Sequence, residues 1–302
     1  MSEEETDAAD TSLSCCCASC GIAEIDDIKL VPCDGCDLVR YCSDECQGEH
    51  KSEHEEECKK RAAELRDELL LFKQPESSYL GDCPICSLPM PLDKTKSTLT
   101  GCCSEIICRG CSHANQMREF EARVEQRCPF CRERLPDTLE EDERRRMKRI
   151  EVNDPVAMLQ QARKQYDKGE YRSAFEYDVK AAELGEIDAH YRLAHMYCEG
   201  LGVEKDEEKQ IHHTEEAAIG GHPTARYNLG RHELENGNAE RAVKHWIIAA
   251  TQGYDLSIKM LMKAFKEGFV EKDVLTTTLR AHKAAVDATK SPQRDEAEAF
   301  PN

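Results

Sequence analysis

Seventeen of the 18 cysteines fall before residue 132, and many stand in C-x-x-C pairs. Two intervening residues let both thiolates turn onto one metal ion, whereas disulfide frameworks draw on cysteines spaced farther apart in secreted chains. The chemistry on offer is structural zinc binding. In chain order a first set comprises Cys17, Cys20, Cys33, Cys36, Cys42, Cys46, His54 and Cys58, eight ligands and so enough for two tetrahedral sites. On a helix His54 and Cys58 lie one turn apart and face the same ion. A second set comprises Cys83, Cys86, Cys102, Cys103, Cys108, Cys111, Cys128 and Cys131, again eight, so four zinc ions are expected. Cys15 and Cys16 are surplus, although Cys16 could substitute for Cys17. Neighbouring side chains point apart, which makes Cys102 and Cys103 an uncommon pair on one ion and leaves His113 as a reserve ligand.

The first set resembles a MYND-type zinc finger, through YCSDECQ at 41–47 and the H-x-x-x-C at 54–58. That resemblance implies interleaved sites, with Cys17, Cys20, Cys42 and Cys46 around one ion and Cys33, Cys36, His54 and Cys58 around the other. The sequence departs from the family at Lys51, where an aromatic lining a proline-rich-peptide groove is usual. The second set resembles an all-cysteine RING finger through CPIC at 83–86, ICRGC at 107–111 and CPFCR at 128–132. The cross-brace it implies gives Cys83, Cys86, Cys108 and Cys111 one ion and Cys102, Cys103, Cys128 and Cys131 the other. The resemblance also implies a ubiquitin-protein ligase, which has no nucleophile of its own. Such a ligase grips a ubiquitin-conjugating enzyme and holds its charged thioester in a reactive conformation, so its chemistry is positioning. Ile85 matches the family's apolar knob against the conjugating enzyme, Pro129 the proline of the final loop, and Arg132 the cation that bridges conjugating enzyme and ubiquitin. Without the resemblance, Ile85 and Pro129 pack the loops and Arg132 is a solvated charge. The family's histidine ligand and groove tryptophan are missing.

The elements that must hold these residues fall into seven stretches. Residues 1–14 are acidic and small, a disordered tail. The first finger occupies 15–58. A linker over 59–78 carries a short amphipathic helix, with Leu65, Leu69 and Phe72 at helical spacing before Pro75 breaks it. The second finger spans 79–135, with a helix expected between Cys111 and Cys128 and Met117, Phe120 and Val124 on one face of it. A charged helix fills 136–153, where RRRMKR reads as a helix face: Glu140–Arg144, Glu141–Arg145 and Asp142–Arg146 are i,i+4 pairs, each worth about 0.2–0.5 kcal/mol. A sharper reading of that run is a nuclear-import signal. Residues 289–302 read as a second disordered tail.

Between them, residues 154–288 repeat. Ala181, Ala182 and Gly185 recur as Ala217, Ala218 and Gly221 and as Ala249, Ala250 and Gly253, while Ala189, Tyr191 and Leu193 recur as Ala225, Tyr227 and Leu229, with Ser257 and Leu261 continuing the series. Small alanines allow close helix approach, and the glycine supplies the left-handed residue that ends a helix. With YCEGLGVEKDEEKQ at 197–210 as a hairpin loop, this stretch resembles Sel-1-like repeats, relatives of tetratricopeptide repeats. The implied fold is mainly α: two small zinc-stabilised modules, MYND-like and RING-like, followed by an α-solenoid of about four helical hairpins. Its concave face would take a client protein; the alternative is a spacer.

Bulk composition narrows the function further. Apolar residues make up 39% and aromatics 6%, a thin core, and the formal net charge is −19. A duplex or membrane surface, both polyanions, would repel most of this chain, so neither nucleic acid nor membrane is an expected partner. The acidic start lacks a secretory signal, no run approaches 18 apolar residues, and thiols rather than disulfides imply a reducing compartment, cytoplasmic or nuclear. The repeats leave no room for the SET methyltransferase domain that accompanies some MYND fingers. Cys198 reads as a small buried hydrophobe, and His212 and His213 as solvated. The rival to a ligase that joins a conjugating enzyme to a client is a non-enzymatic, zinc-dependent interaction scaffold.

Overall fold

A computed structural model describes residues 16–25, 27–75 and 79–300. The acidic stretch 1–14, Cys15, Asp26, 76–78 of the linker and the last two residues of the tail, Pro301 and Asn302, lie outside the described residues. The chain forms two compact units that divide between Leu70 and Leu71.

In the first unit, short strands and turns carry the early cysteines because each C-x-x-C pair closes its own loop. Strands β1 (Val31–Pro32) and β2 (Arg40–Tyr41) pair antiparallel, Val31 opposite Tyr41. Helix α1 (Asp44–Leu71) follows, opening with Asp44 and Glu45, whose charges suit the positive end of the helix. The helix expected over 59–73 is therefore the end of a much longer one that starts inside the finger. The buried core is Cys17, Leu30, Cys33, Cys36 and Tyr41.

The second unit opens with the second cysteine module. Strands β3 (Ser97–Leu99) and β4 (Ile106–Cys108) pair antiparallel and lead into helix α2 (Arg109–Glu121). The helix stops short of Val124, since Arg123 takes a left-handed φ of 53°. Its expected apolar face does not pack: Met117, Phe120 and Val124 are 43%, 75% and 57% exposed. The core is instead Cys83, Met90, Ile107, Cys108 and Cys111. Helix α3 (Leu139–Glu151) carries the basic run; Thr138 caps it, and the pairs Glu141–Arg145 (2.6 Å) and Asp142–Arg146 (3.0 Å) form. Rather than hanging as a linker, α3 is tied on both sides. Arg149 reaches Ser104 of the cysteine module (3.1 Å), and buried Arg146 reaches Gln161 of the first repeat (3.0 Å).

Eight helices then stack as four hairpins: α4 (Pro155–Asp167) with α5 (Tyr171–Glu183), α6 (Ile187–Glu199) with α7 (Glu207–Ile219), α8 (Pro223–Glu235) with α9 (Ala239–Thr251), and α10 (Asp255–Lys266) with α11 (Lys272–Ala288). The recurring small positions are buried where the helices pack. Ala181, Ala217 and Ala249 are fully buried, as are Ala189, Ala225 and Ser257. Gly185, Gly221 and Gly253 take φ of 86°, 94° and 91°, the left-handed exit that a side chain would strain. The cysteine module sits on the repeats through a charged hub in which Asp188 is bonded to Lys94 and to Arg163 (2.8 Å), with His222 Nε2 lying 3.4 Å from its other carboxylate oxygen and the ring of Tyr79 lying 4.9 Å from that of His222. Burial pushes Asp188 up, but His222 and Lys94 outweigh it and hold the carboxyl well below the usual carboxylate range.

Three expectations need correction. The tail expected to be disordered over 289–302 contains helix α12 (Pro292–Ala299), which packs against α2. Cys198 is exposed, because α6 turns Leu193, Met196 and Tyr197 inward and leaves residue 198 off that face. His213 is half-buried, stacked on Tyr197 with ring centroids 5.6 Å apart, although His212 is exposed.

Candidate metal centres and groove

Four tetrads form among the described residues, each with its ligand atoms within 4.8 Å of one another: Cys17, Cys20, Cys42, Cys46; Cys33, Cys36, His54, Cys58; Cys83, Cys86, Cys108, Cys111; and Cys102, Cys103, Cys128, Cys131. Local folding makes them. Knuckles at Cys17, Cys33, Cys83 and Cys128 each place the residue four positions later in the left-handed region: Gly21 (75°), Asp37 (57°), Ser87 (55°) and Arg132 (65°). That twist brings the second thiol back beside the first. In the first unit, Cys42 leaves β2 directly, Cys46 lies in the first turn of α1, and His54 and Cys58 lie one turn apart on it, so that strand and helix interleave the two sites. Gly35 matters here, because a Cβ on it would stand 3.0 Å from Cys58 Sγ.

In the second module Cys108 ends β4 and its thiol caps α2 at the Cys111 amide (3.4 Å), while Cys83 accepts the Cys108 amide (3.4 Å). The adjacent pair Cys102 and Cys103 does reach one tetrad. Ser104 turns left-handed (59°) and Thr100 Oγ1 stands 3.0 Å from Cys103 Sγ, which curls the turn so that both thiols point to Cys128 and Cys131. His113, the reserve ligand, instead stacks on Phe300 at 5.5 Å.

The donor geometry fits zinc. Zn–S bonds of about 2.3 Å in a tetrahedron put sulfurs about 3.8 Å apart, whereas a disulfide needs about 2.05 Å. The separations are 3.5 Å for Cys20–Cys42, 3.6 Å for Cys42–Cys46, 3.7 Å for Cys33–Cys58, 3.8 Å for Cys86–Cys108, 3.3 Å for Cys102–Cys131 and 3.9 Å for Cys103–Cys128. His54 Nε2 lies 3.0 Å from Cys36 Sγ. Burial pushes the leading thiols Cys17, Cys33, Cys83 and Cys128 up, but knuckle amides and neighbouring thiols more than offset it and hold all four below the ordinary thiol value. In the same tetrads other thiols are pushed up, Cys42 by its contact with Cys20 and Cys58, Cys102 and Cys111 by burial, so a metal that binds only the deprotonated form would displace protons as it enters. The chain thus carries several sites consistent with zinc.

Ile85, Pro129 and Arg132 come from opposite ends of the second module, and the structure brings them to one open cleft of about 510 Å³, with Asn115, Arg118 and Gln293. Ile85 is 43% exposed. Arg132 does not project freely. Its guanidinium donates to Asn115 Oδ1 (2.9 Å) and to Glu119 Oε1 (3.2 Å), and Glu119, 2% exposed, also accepts the Arg127 amide (3.0 Å). Sequence reasoning missed these two partners, although Asn115 and Glu119 stand i,i+4 on α2, opposite the apolar stripe that drew attention.

Comparison with known proteins agrees with part of this picture. The MYND finger model matches residues 17–58, and the Sel1 repeat model matches 187–222 and 223–254; the second cysteine module lies outside the matched residues. The chain is therefore a zinc-finger protein with Sel1 repeats, a combination suited to protein–protein interaction. It is 30% identical over 117 residues to the chitin synthase regulator SKT5 of Saccharomyces cerevisiae, a stretch covering 35% of this chain and only 17% of the yeast protein. Solved structures similar to it include a Sel1 repeat protein from Oxalobacter formigenes, with a TM-score of 0.44, 23% identity and coverage of 57% of this chain and 52% of that one. Another is c5321, a protective antigen present in uropathogenic Escherichia coli strains, with a TM-score of 0.38, 20% identity and coverage of 56% and 37%. No described helix is long and apolar enough to cross a membrane.

Proposed function

We propose that this chain is a RING-type ubiquitin-protein ligase holding one zinc ion in each tetrad, acting in the cytoplasm or nucleus. Its second module recruits a ubiquitin-conjugating enzyme, and its Sel1 repeats recruit a client protein. The observation that carries the reading is the convergence of Ile85, Pro129 and Arg132 on one cleft beside two cross-braced tetrads. An isoleucine left 43% exposed at the rim of so small a core is the kind of anchor that a partner covers. The test is ubiquitin discharge and chain formation with purified full-length protein and a panel of conjugating enzymes. Ile85→Ala removes about three carbons at about 0.8 kcal/mol each when fully covered, or roughly 2 kcal/mol, which weakens that recruitment by about 30-fold. Activity with no conjugating enzyme, or activity indifferent to Ile85→Ala, rejects the ligase.

The second reading, a non-enzymatic scaffold, draws on Arg132 being tied to Asn115 and Glu119 rather than offered to a partner. It expects bound proteins to persist when Ile85 is changed.

A further inference from the structure

We propose that Arg294, on the C-terminal helix, is an outer-sphere partner of the tetrad Cys83, Cys86, Cys108 and Cys111, making α12 a working part of the second cysteine module. Its guanidinium is the convergence point of a knuckle some two hundred residues earlier in the chain. Nη2 donates to Cys86 Sγ (3.5 Å) and Leu88 O (3.2 Å), and Nη1 donates to Pro89 O (2.7 Å) and Thr289 O (2.7 Å). The residue is only 7% exposed. Four thiolates around a divalent ion leave two surplus negative charges, and a buried cation donating to one of those sulfurs offsets them where water cannot.

The rest of the helix fixes that placement. Gly110, between Cys108 and Cys111, has no side chain at the contact; a Cβ there would stand 3.0 Å from the Arg294 Cα and N. Ala297 is fully buried, Arg109 donates to Phe300 O (2.6 Å), Phe300 stacks on His113, and Lys96 pairs with Glu298 (2.6 Å). Gln293, the preceding residue, lines the same cleft as Ile85, so the helix that steadies the metal site also forms one wall of the groove. A plain tether would need only the carbonyl contacts. The bond to Cys86 is what assigns Arg294 to the metal.

The experiment uses full-length, zinc-loaded protein and measures zinc release to a chromogenic chelator, with native mass spectrometry counting the ions retained. Arg294→Met speeds release of one ion in four by about 10- to 100-fold, the usual cost of losing an outer-sphere partner, and Arg294→Lys restores part of the difference. In cobalt-substituted protein the thiolate-to-metal charge-transfer band of Arg294→Met moves to longer wavelength, because a sulfur freed of its N–H donor gives up electrons more readily. Gly110→Ala keeps the charge but crowds the helix backbone, and it moves release in the same direction. Unchanged release in Arg294→Met and Gly110→Ala overturns the proposal. So does equal loss in the Met and Lys variants with an unshifted cobalt band, which would make Arg294 a mere tether. None of these readouts involves ubiquitin, so a failed ligase assay leaves the proposal standing.

Discussion

Stripping zinc should dismantle both cysteine modules and leave the repeats standing. In the first finger the buried core is Cys17, Leu30, Cys33, Cys36 and Tyr41, and in the second module Cys83, Met90, Ile107, Cys108 and Cys111. Without metal, three of five core side chains in each become plain thiols, leaving two large apolar residues apiece. At about 1.5–3 kcal/mol per buried side chain these supply about 3–6 kcal/mol per module. A structural zinc site contributes about 10–16 kcal/mol, so two sites outweigh the apolar core several-fold. The repeats differ in kind: the cluster Ala242, Val243, Trp246, Ala250, Leu261, Ala264 and Val270 contains no thiol. Trp246 is the chain's single tryptophan, a reporter confined to the later repeats. Titrating with a strong chelator while following zinc release, thiol alkylation and Trp246 emission separates the two parts. Expected are full alkylation of the ligand cysteines as zinc leaves, and unmoved tryptophan emission. Thiols that stay protected once every ion is gone, or emission that shifts in step with zinc, would refute the division of labour between metal and apolar core.

Two further outcomes concern the repeats. Gly230→Ala would put a Cβ 2.4 Å from Trp246 Nε1 and 2.7 Å from Cδ1, against an indole only 2% exposed with nowhere to move. A clash this close puts overpacking near the upper end of its usual range, about 3 kcal/mol; less a helix-propensity gain of at most about 1, it leaves about 2 kcal/mol and predicts a Tm lower by roughly 4–8 °C in a tryptophan-monitored melt. An unchanged melt would mean that α8 and α9 are farther apart than described. His213 is held down to about 4, by burial first and then by His190 and His212. A base with a lowered folded value contributes stability above its free value of about 6.5 and loses it as pH falls from there toward about 4. His213→Phe keeps the stacking on Tyr197 but cannot titrate, so the Tm difference between it and the wild-type chain should move in the variant's favour from pH 7.5 to pH 5. A constant gap would show that His213 is freely solvated.

What could be read from the sequence is what short-range pattern encodes. The tetrads were legible because a knuckle is a local device, its four or five residues carrying both thiols and the turn between them. The hairpins were legible for a related reason. Ala181, Ala217 and Ala249 recur in register, and a recurring small residue has one cause, a helix pressed against it. Cys198 was misjudged although the same arithmetic was at hand, for Leu193 and Tyr197 face inward one turn apart and residue 198 is rotated off that stripe. The apolar spacing of Met117, Phe120 and Val124 misled in the opposite sense, since periodicity states which residues share a face and not whether anything covers it.

The C-terminal helix shows where such reading ends. The structure caps its start with Ser291 and puts Pro292 in the first turn, but QRDEAEA offers no apolar stripe that would make eight residues helical on their own. What holds α12 is distant and largely polar: Arg294 on Cys86, Leu88 and Pro89, and the missing side chain of Gly110 that admits it, with buried Ala297 and the stacking of Phe300 on His113 beside them. Contacts of that kind leave no period in the sequence, because neither partner repeats and the pairing depends on the repeats folding the chain back on itself. The same holds for Arg132, whose motif position was plain but whose freedom depends on Asn115 and Glu119 across the module. Motif matching finds a cation beside the last cysteine knuckle, and only the packed structure shows that Asn115 and Glu119 already engage it, which leaves exposed Ile85 as the contact on which ligase and scaffold part.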